Sequence, residues 1–162
     1  MRVRALLISL AAFLASAMGG EAQGIVKGDL VISSPWSRAT PGGAQVAAGY
    51  LVITNKGLSA ERLISFATDL AEQPEIHEMT NEGGVMKMRP LAKGLSIPAG
   101  ASVKLEPGGY HLMLLKLKKP LVAGQRFKAT LVFEKAGPLD VEFEVRAMGQ
   151  GQKQGPAGHH NH

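Results

Sequence analysis

The sequence predicts an all-β domain, an antiparallel sandwich or barrel, on three observations. Short runs alternate apolar and polar residues, as in Val141-Glu142-Phe143-Glu144-Val145, and a period of two is the signature of a half-buried strand. Turn-forming clusters separate these runs, at Pro41-Gly42-Gly43, Asn81-Glu82-Gly83-Gly84, Pro98-Ala99-Gly100 and Pro107-Gly108-Gly109. No stretch sustains a helical period, although residues 63–70 have room for one turn of helix. Eight or nine short strands at this spacing favour antiparallel sheets packed face to face or closed on themselves.

The first candidate element is Asp29 to Ser33, a short strand, with Pro35-Trp36-Ser37-Arg38 and a Pro-Gly-Gly loop after it. Val46 to Asn55 is a longer strand, closed by an Asn55-Lys56-Gly57 turn. Glu61 to Phe66 is a further strand candidate. Glu75 to Thr80 and Val85 to Arg89 both alternate and flank a turn, so they form a hairpin. Ser102 to Leu105 precedes the Pro107-Gly108-Gly109 turn, which feeds into Tyr110-His111-Leu112-Met113-Leu114-Leu115. Gln125 to Glu134 and Leu139 to Arg146 close a single domain spanning residues 25–147. The alternation stops at Met148, and the glycine- and glutamine-rich remainder, residues 148–162, reads as a flexible tail ending His159-His160-Asn161-His162.

The N-terminus carries an export signal. Arg2 and Arg4 precede the apolar run Ala5 to Leu14, and small residues follow at Ala15-Ser16-Ala17 and Gly20-Glu21-Ala22. This is the pattern of a cleaved signal peptide over residues 1–22, cut after residue 17 or 22. The apolar run is shorter than the roughly 20 residues a membrane span needs. An exported protein without cysteine holds together by its core alone. It also has no thiolate chemistry: no Cys nucleophile, no Cys-ligated zinc and no blue-copper thiolate. Without its first 22 residues the chain carries 16 basic against 12 acidic residues, or +4, and the basic residues are scattered. That balance is a solvated surface rather than a nucleic-acid footprint.

The histidines and methionines cluster. Of five His, three lie in the last four residues, and the other two stand in His77-Glu78-Met79 and His111-Leu112-Met113. Met79, Met86, Met88 and Met113 all fall in the two segments that hold these histidines, and the long closing strands contain none. Core-filling methionines would be spread over all strands. Residues two apart on a strand share a face, so each His-x-Met presents an imidazole and a thioether together. Thioether needs no deprotonation and imidazole binds metal in its neutral form, and the pair favours copper, Cu(I) above all. Glu75, Glu78 and Glu82 lie nearby and leave zinc open. A hydrogen-bonded core histidine and a packing methionine are the bland alternatives for each position.

These residues resemble the PCuA(C) family of periplasmic copper chaperones. The family pattern is His, ten residues, Met, about 21 residues, then His-x-Met. Here ten residues separate His77 from Met88, and 22 separate Met88 from His111, one more than usual. The surrounding text also matches: Trp36-Ser37-Arg38-Ala39-Thr40-Pro41-Gly42-Gly43, Gly49-Tyr50, Met86-Lys87-Met88-Arg89-Pro90 and Pro107-Gly108-Gly109-Tyr110-His111-Leu112-Met113. The resemblance implies a cupredoxin-like β-sandwich that binds one Cu(I) through His77, Met88, His111 and Met113. It implies delivery of copper to the CuA or CuB site of a haem-copper oxidase, directly or with a Sco-type protein. The chain is then a periplasmic monomer that meets the membrane only through its partner.

Auxiliary donors are Met79 and Met86, which share faces with His77 and Met88, and Met148, His159, His160 and His162 at the tail. Clustered imidazoles there suit Cu(II). The rivals are weaker. A histidine-brace oxygenase needs an N-terminal His, but the two cleavage sites leave Met18 or Gln23. No Ser and Asp context makes His77 or His111 part of a hydrolase triad. An electron-carrying cupredoxin needs a Cys thiolate. The expected protein is therefore not an enzyme. Copper storage or detoxification by the same donors stays open, as does a metal-free adhesion sandwich, which leaves the clustering unexplained.

Overall fold

A computed structural model describes residues 24–149, and the leader and the tail beyond Met148 and Gly149 lie outside the described residues. The described chain is all-β, a cupredoxin-like sandwich with eleven strands and no helix. They are β1 (Ile25–Lys27), β2 (Leu30–Arg38), β3 (Val46–Asn55), β4 (Glu61–Ala67), β5 (Ala71–Glu82), β6 (Val85–Pro90), β7 (Leu95–Ile97), β8 (Ser102–Leu105), β9 (Tyr110–Leu117), β10 (Arg126–Phe133) and β11 (Gly137–Arg146).

One hydrogen-bonded path runs β6-β5-β9-β8-β3-β2-β11-β10-β4-β7, with β1 on β2 and a further β3–β9 pairing. The path coils on itself, because residues from its two ends share one core. Ile76 and Leu112 from one end join Leu131, Phe133, Phe66 and Ile97 from the other in a single buried cluster. The period of two sends these side chains inward: on β11, Val141, Phe143 and Val145 are buried while Glu142 and Glu144 are exposed.

Two features depart from the sequence reading. The sheet is mixed: β11 runs parallel to β2, with Glu144 opposite Trp36, and β8 meets β9 in a parallel bridge at Leu105 and Tyr110. Strands joined by a tight turn must be antiparallel, but β2 and β11 are nearly a whole chain apart and carry no such constraint. The candidate helical turn over residues 63–70 is instead strand β4 through Ala67, followed by a short turn at Asp69 and Leu70 into β5. Strand pairing to β10 and β7 overrides that weak local signal. The short β1 and β7, and the extension of β2 through Pro35-Trp36-Ser37-Arg38, were not evident from the alternation.

Two turns set the positions of β5, β6 and β9, the strands that carry His77, Met88 and His111. Glu82 pairs with Val85, which leaves Gly83 and Gly84 as a two-residue hairpin loop with φ of 62° and 84°. Such a loop demands positive φ at both positions, which glycine adopts without strain. It fixes the β5–β6 register. In the second turn, Gly108 has φ 86° after Pro107, and Gly109 N–H donates to the Glu106 carbonyl at 3.0 Å. Proline followed by a positive-φ glycine is the type II arrangement, and it delivers the chain directly into β9 at Tyr110.

Candidate metal centre

Strands β6, β5 and β9 lie side by side, and their registers place the expected donors on one face. His77 stands opposite His111, and Glu75 opposite Met113. On the other side of β5, Met79 stands opposite Met88, His77 opposite Pro90, and Asn81 opposite Met86. Ile76, Leu112 and Leu114 alternate with these residues and enter the core, so the donors occupy the face turned away from it. Both imidazoles are nonetheless nearly inaccessible, at 8% exposure for His77 and 5% for His111. The thioethers range outward: Met79 and Met113 are half-buried, whereas Met86 and Met88 on the edge strand β6 are exposed.

The two histidines are held differently. The His111 Nδ1–H donates to the Gly109 carbonyl at 3.0 Å, and Nε2 lies 3.2 Å from the Met88 sulfur. The same Gly109 oxygen accepts from Met79 N–H at 3.1 Å, so the turn before β9 anchors both strands. The bond to Nδ1–H makes Nε2 the lone-pair nitrogen of neutral His111. His77 instead directs Nε2 to the Glu75 carboxylate at 2.7 Å, and its Nδ1 is buried with no hydrogen-bond partner. The two rings sit 5.7 Å apart between centroids, inclined at 58°.

The structure therefore brings His77, His111, Met88 and Met113 onto one face, with Met79 and Met86 beside them. His111 Nε2 and the Met88 sulfur already meet, at 3.2 Å, and the His77 ring lies beside that of His111. Met148 follows β11 and is exposed; His159, His160 and His162 lie outside the described residues. Among the described residues no three His, Asp or Glu side chains converge as a metal cluster, so a metal on this face needs the sulfurs. Glu75 is the site residue that sequence reasoning missed in its role. The spacing Glu75-x-His77-x-Met79 already put it on the shared face.

Burial pushes the His111 pKa below the ordinary histidine value; the Gly109 carbonyl opposes this and the nearby His77 adds to it. The ring stays neutral at neutral pH, the form that ligates metal. The midpoint of its NMR titration is expected below 6.5. Because the folded value is the lower one, the associated stability is present above the unfolded histidine value, about 6.5, and is lost as pH falls through the folded one. A midpoint above 6.5 would contradict the burial argument.

Beside the donors, the outward face continues onto β3 and β2. Trp36 and Tyr50 are opposite one another, with rings 4.6 Å apart, and the Arg146 guanidinium lies 5.0 Å from the Trp36 ring centre. Burial raises the Tyr50 hydroxyl pKa against the opposing pull of Arg38. These aromatics are packing residues. Thr40 is structural as well: its hydroxyl accepts from Leu121 N–H at 3.0 Å while its own N–H donates to the Leu121 carbonyl.

Comparison with known proteins agrees with this architecture. The copper-bound PCuAC domain from PmoF2 superposes with a TM-score of 0.66 at 26% identity, over 77% of this chain and 98% of that domain. The Cu(I)-bound DR1885 of Deinococcus radiodurans gives 0.57 at 30% identity, over 80% of this chain and 85% of its own. In sequence, the "Putative lipoprotein Lxx21020" of Leifsonia xyli subsp. xyli is 32% identical over 115 residues, covering 71% of this chain and 68% of that protein. RP573 of Rickettsia prowazekii is 31% identical over 103 residues, and this chain spans 57% of its length. The LpqE-like family model, described as "Putative lipoprotein LpqE-like", matches residues 30–145, nearly all of the β-sandwich, and the chain belongs to that family.

Proposed function

We propose that this chain is an exported Cu(I) carrier that binds one ion through His77, Met88, His111 and Met113 and passes it to a partner, without catalytic turnover. The observation that carries the reading is the paired histidines on adjacent strands, with His111 Nε2 against the Met88 sulfur. Neutral nitrogen and thioether sulfur are soft, uncharged donors, suited to Cu(I) and to exchange with a partner's ligands. The copper-bound PmoF2 domain and Cu(I)-bound DR1885 support copper as the ion. The lipoprotein names of the family and of the Leifsonia relative support export, in keeping with a signal peptide over residues 1–22 and a periplasmic location.

The destination in this reading is the CuA or CuB site of a haem-copper oxidase, reached directly or through a Sco-type protein, with the carrier acting as a monomer. The exposed edge strand β6, bearing Met88, lets an incoming partner's donors replace the carrier's ligands one at a time. The test is deletion of the gene under copper limitation. Oxidase activity is expected to fall and to recover when copper is added. Intact oxidase with heightened sensitivity to excess copper would instead assign storage or detoxification.

The tail supplies a second, separate chemistry in this reading. His159, His160 and His162, with Met148 at the root, form an auxiliary Cu(II) site. Removing residues 149–162 is expected to abolish most Cu(II) binding and leave Cu(I) binding nearly unchanged, measured by metal analysis after loading with each oxidation state. Equal loss of both would merge the two sites into one.

A further inference from the structure

We infer that Glu75 is a positioning residue: it holds His77 as the Nε2–H tautomer, so that His77 presents Nδ1 to copper whereas His111 presents Nε2. The inference rests on the copper-carrier reading and specifies how its two imidazoles take part. A carboxylate only accepts hydrogen bonds, so the 2.7 Å contact between Glu75 Oε2 and His77 Nε2 puts the ring proton on Nε2. The lone pair is then on Nδ1. That atom is buried and has no hydrogen-bond partner. A buried acceptor without a partner is unfavourable, and native interiors rarely leave one without a reason. A soft cation between the strands supplies the reason.

His111 shows the mirror arrangement. The Gly109 carbonyl takes its Nδ1–H, which leaves Nε2 as the lone-pair nitrogen, already facing the Met88 sulfur. Each imidazole thus has one nitrogen tied by an acceptor and the other left free. An acceptor on the far nitrogen of a metal-binding histidine fixes ring orientation and raises ligand basicity. The tether is built into the strand. Glu75 and His77 are two apart on one face of β5, and Glu75 stands opposite Met113 on β9. The two ends differ in wetness: the His77 side chain is 10% exposed and the Glu75 side chain 42%. The carboxylate keeps contact with water while it orients a ring that has almost none.

The test uses the 15N-labelled protein and long-range proton–nitrogen correlations of the His77 and His111 rings, without metal and with one equivalent of Cu(I). Wild type, Glu75→Gln and Glu75→Leu are compared, with folding checked by amide spectra. In the metal-free wild type, His77 is expected to show a protonated Nε2 and an unprotonated Nδ1. Cu(I) is expected to shift His77 Nδ1 and His111 Nε2. Glu75→Gln retains an accepting oxygen and is expected to keep both the tautomer and the affinity within about threefold. Glu75→Leu is expected to mix the tautomers and lower Cu(I) affinity by about 10–100-fold, the usual cost of losing such an outer partner. A Cu(I)-induced shift at His77 Nε2 would overturn the assignment. So would a Leu variant with unchanged tautomer and affinity, or a Gln variant that loses as much as Leu, which would make Glu75 a ligand. If Cu(I) moves neither ring, the copper-site reading itself fails, while the metal-free tautomer still decides what Glu75 does.

Discussion

His111→Ala is expected to lower Cu(I) affinity by more than about 100-fold while the domain stays folded. Loss of an outer partner alone costs about 10–100-fold in metal affinity, and this substitution removes the ligand itself. The fold should survive because the ring lies on the face turned away from the core, among β5, β6 and β9. What is lost structurally is the packing of a ring that is only 5% exposed and one hydrogen bond, to the Gly109 carbonyl, whose oxygen keeps its second donor, Met79 N–H. A bond of that kind contributes about 1 kcal/mol. Met88→Leu, which conserves volume and removes the sulfur, is expected to act in the same direction with less effect on stability. The measurement is competition against a chromophoric Cu(I) chelator, paired with thermal unfolding. An unfolded variant, or a folded one with unchanged Cu(I) affinity, would make His111 a packing residue.

Glu61→Ala is expected to destabilise the domain by roughly 1–3 kcal/mol and to leave Cu(I) affinity in the folded protein unchanged. Glu61 opens β4 and is only 7% exposed. Its carboxylate accepts from three backbone amides: Arg62 at 2.7 Å, Lys135 at 3.1 Å and Ala136 at 3.0 Å. The turn between β10 and β11 is thereby fastened to β4. Truncation leaves three part-buried amides without their acceptor, and since Lys135 is exposed and open to water, the loss falls well below three full penalties of about 1–3 kcal/mol each. Against a total stability of about 5–15 kcal/mol for a domain, that is a large fraction. Burial alone would raise the Glu61 pKa, but the three amides, with Lys135, bring it below the usual glutamate value. A folded value below the unfolded one contributes stability that is present above about pH 4.3 and is lost as pH falls through the folded value. Glu61→Gln should therefore flatten the acid limb of the stability profile, read by urea unfolding between pH 3 and 7. An unchanged midpoint for Glu61→Ala would mean that water replaces the carboxylate at no cost.

Local pattern was enough for much of this protein. The alternation in residues 139–146 specified which β11 residues are buried, because a strand has a period of two whatever it pairs with. Asn81-Glu82-Gly83-Gly84 specified a hairpin turn between β5 and β6, while the Glu82–Val85 pairing that narrows the loop to Gly83-Gly84 and sets the register came from the structure. His77-x-Met79, Met86-x-Met88 and His111-x-Met113 placed each imidazole or thioether with a neighbour on one face. Each of these statements depends on residues close in sequence. What remained undecided were the long-range pairings: β11 beside β2 in parallel, and β5 beside β9 with His77 opposite His111. A register slip of one residue would turn His77 into the core, and nothing in residues 71–82 alone excludes it. The contacts that do so come from Ile76, Leu112 and Leu114 entering a core shared with β4, β7 and β10. The Glu75–His77 tether depends on tertiary structure in the same way. Spacing put both residues on one face, but the closure of β9 and β6 around the ring is what dries His77 and leaves its Nδ1 without a partner.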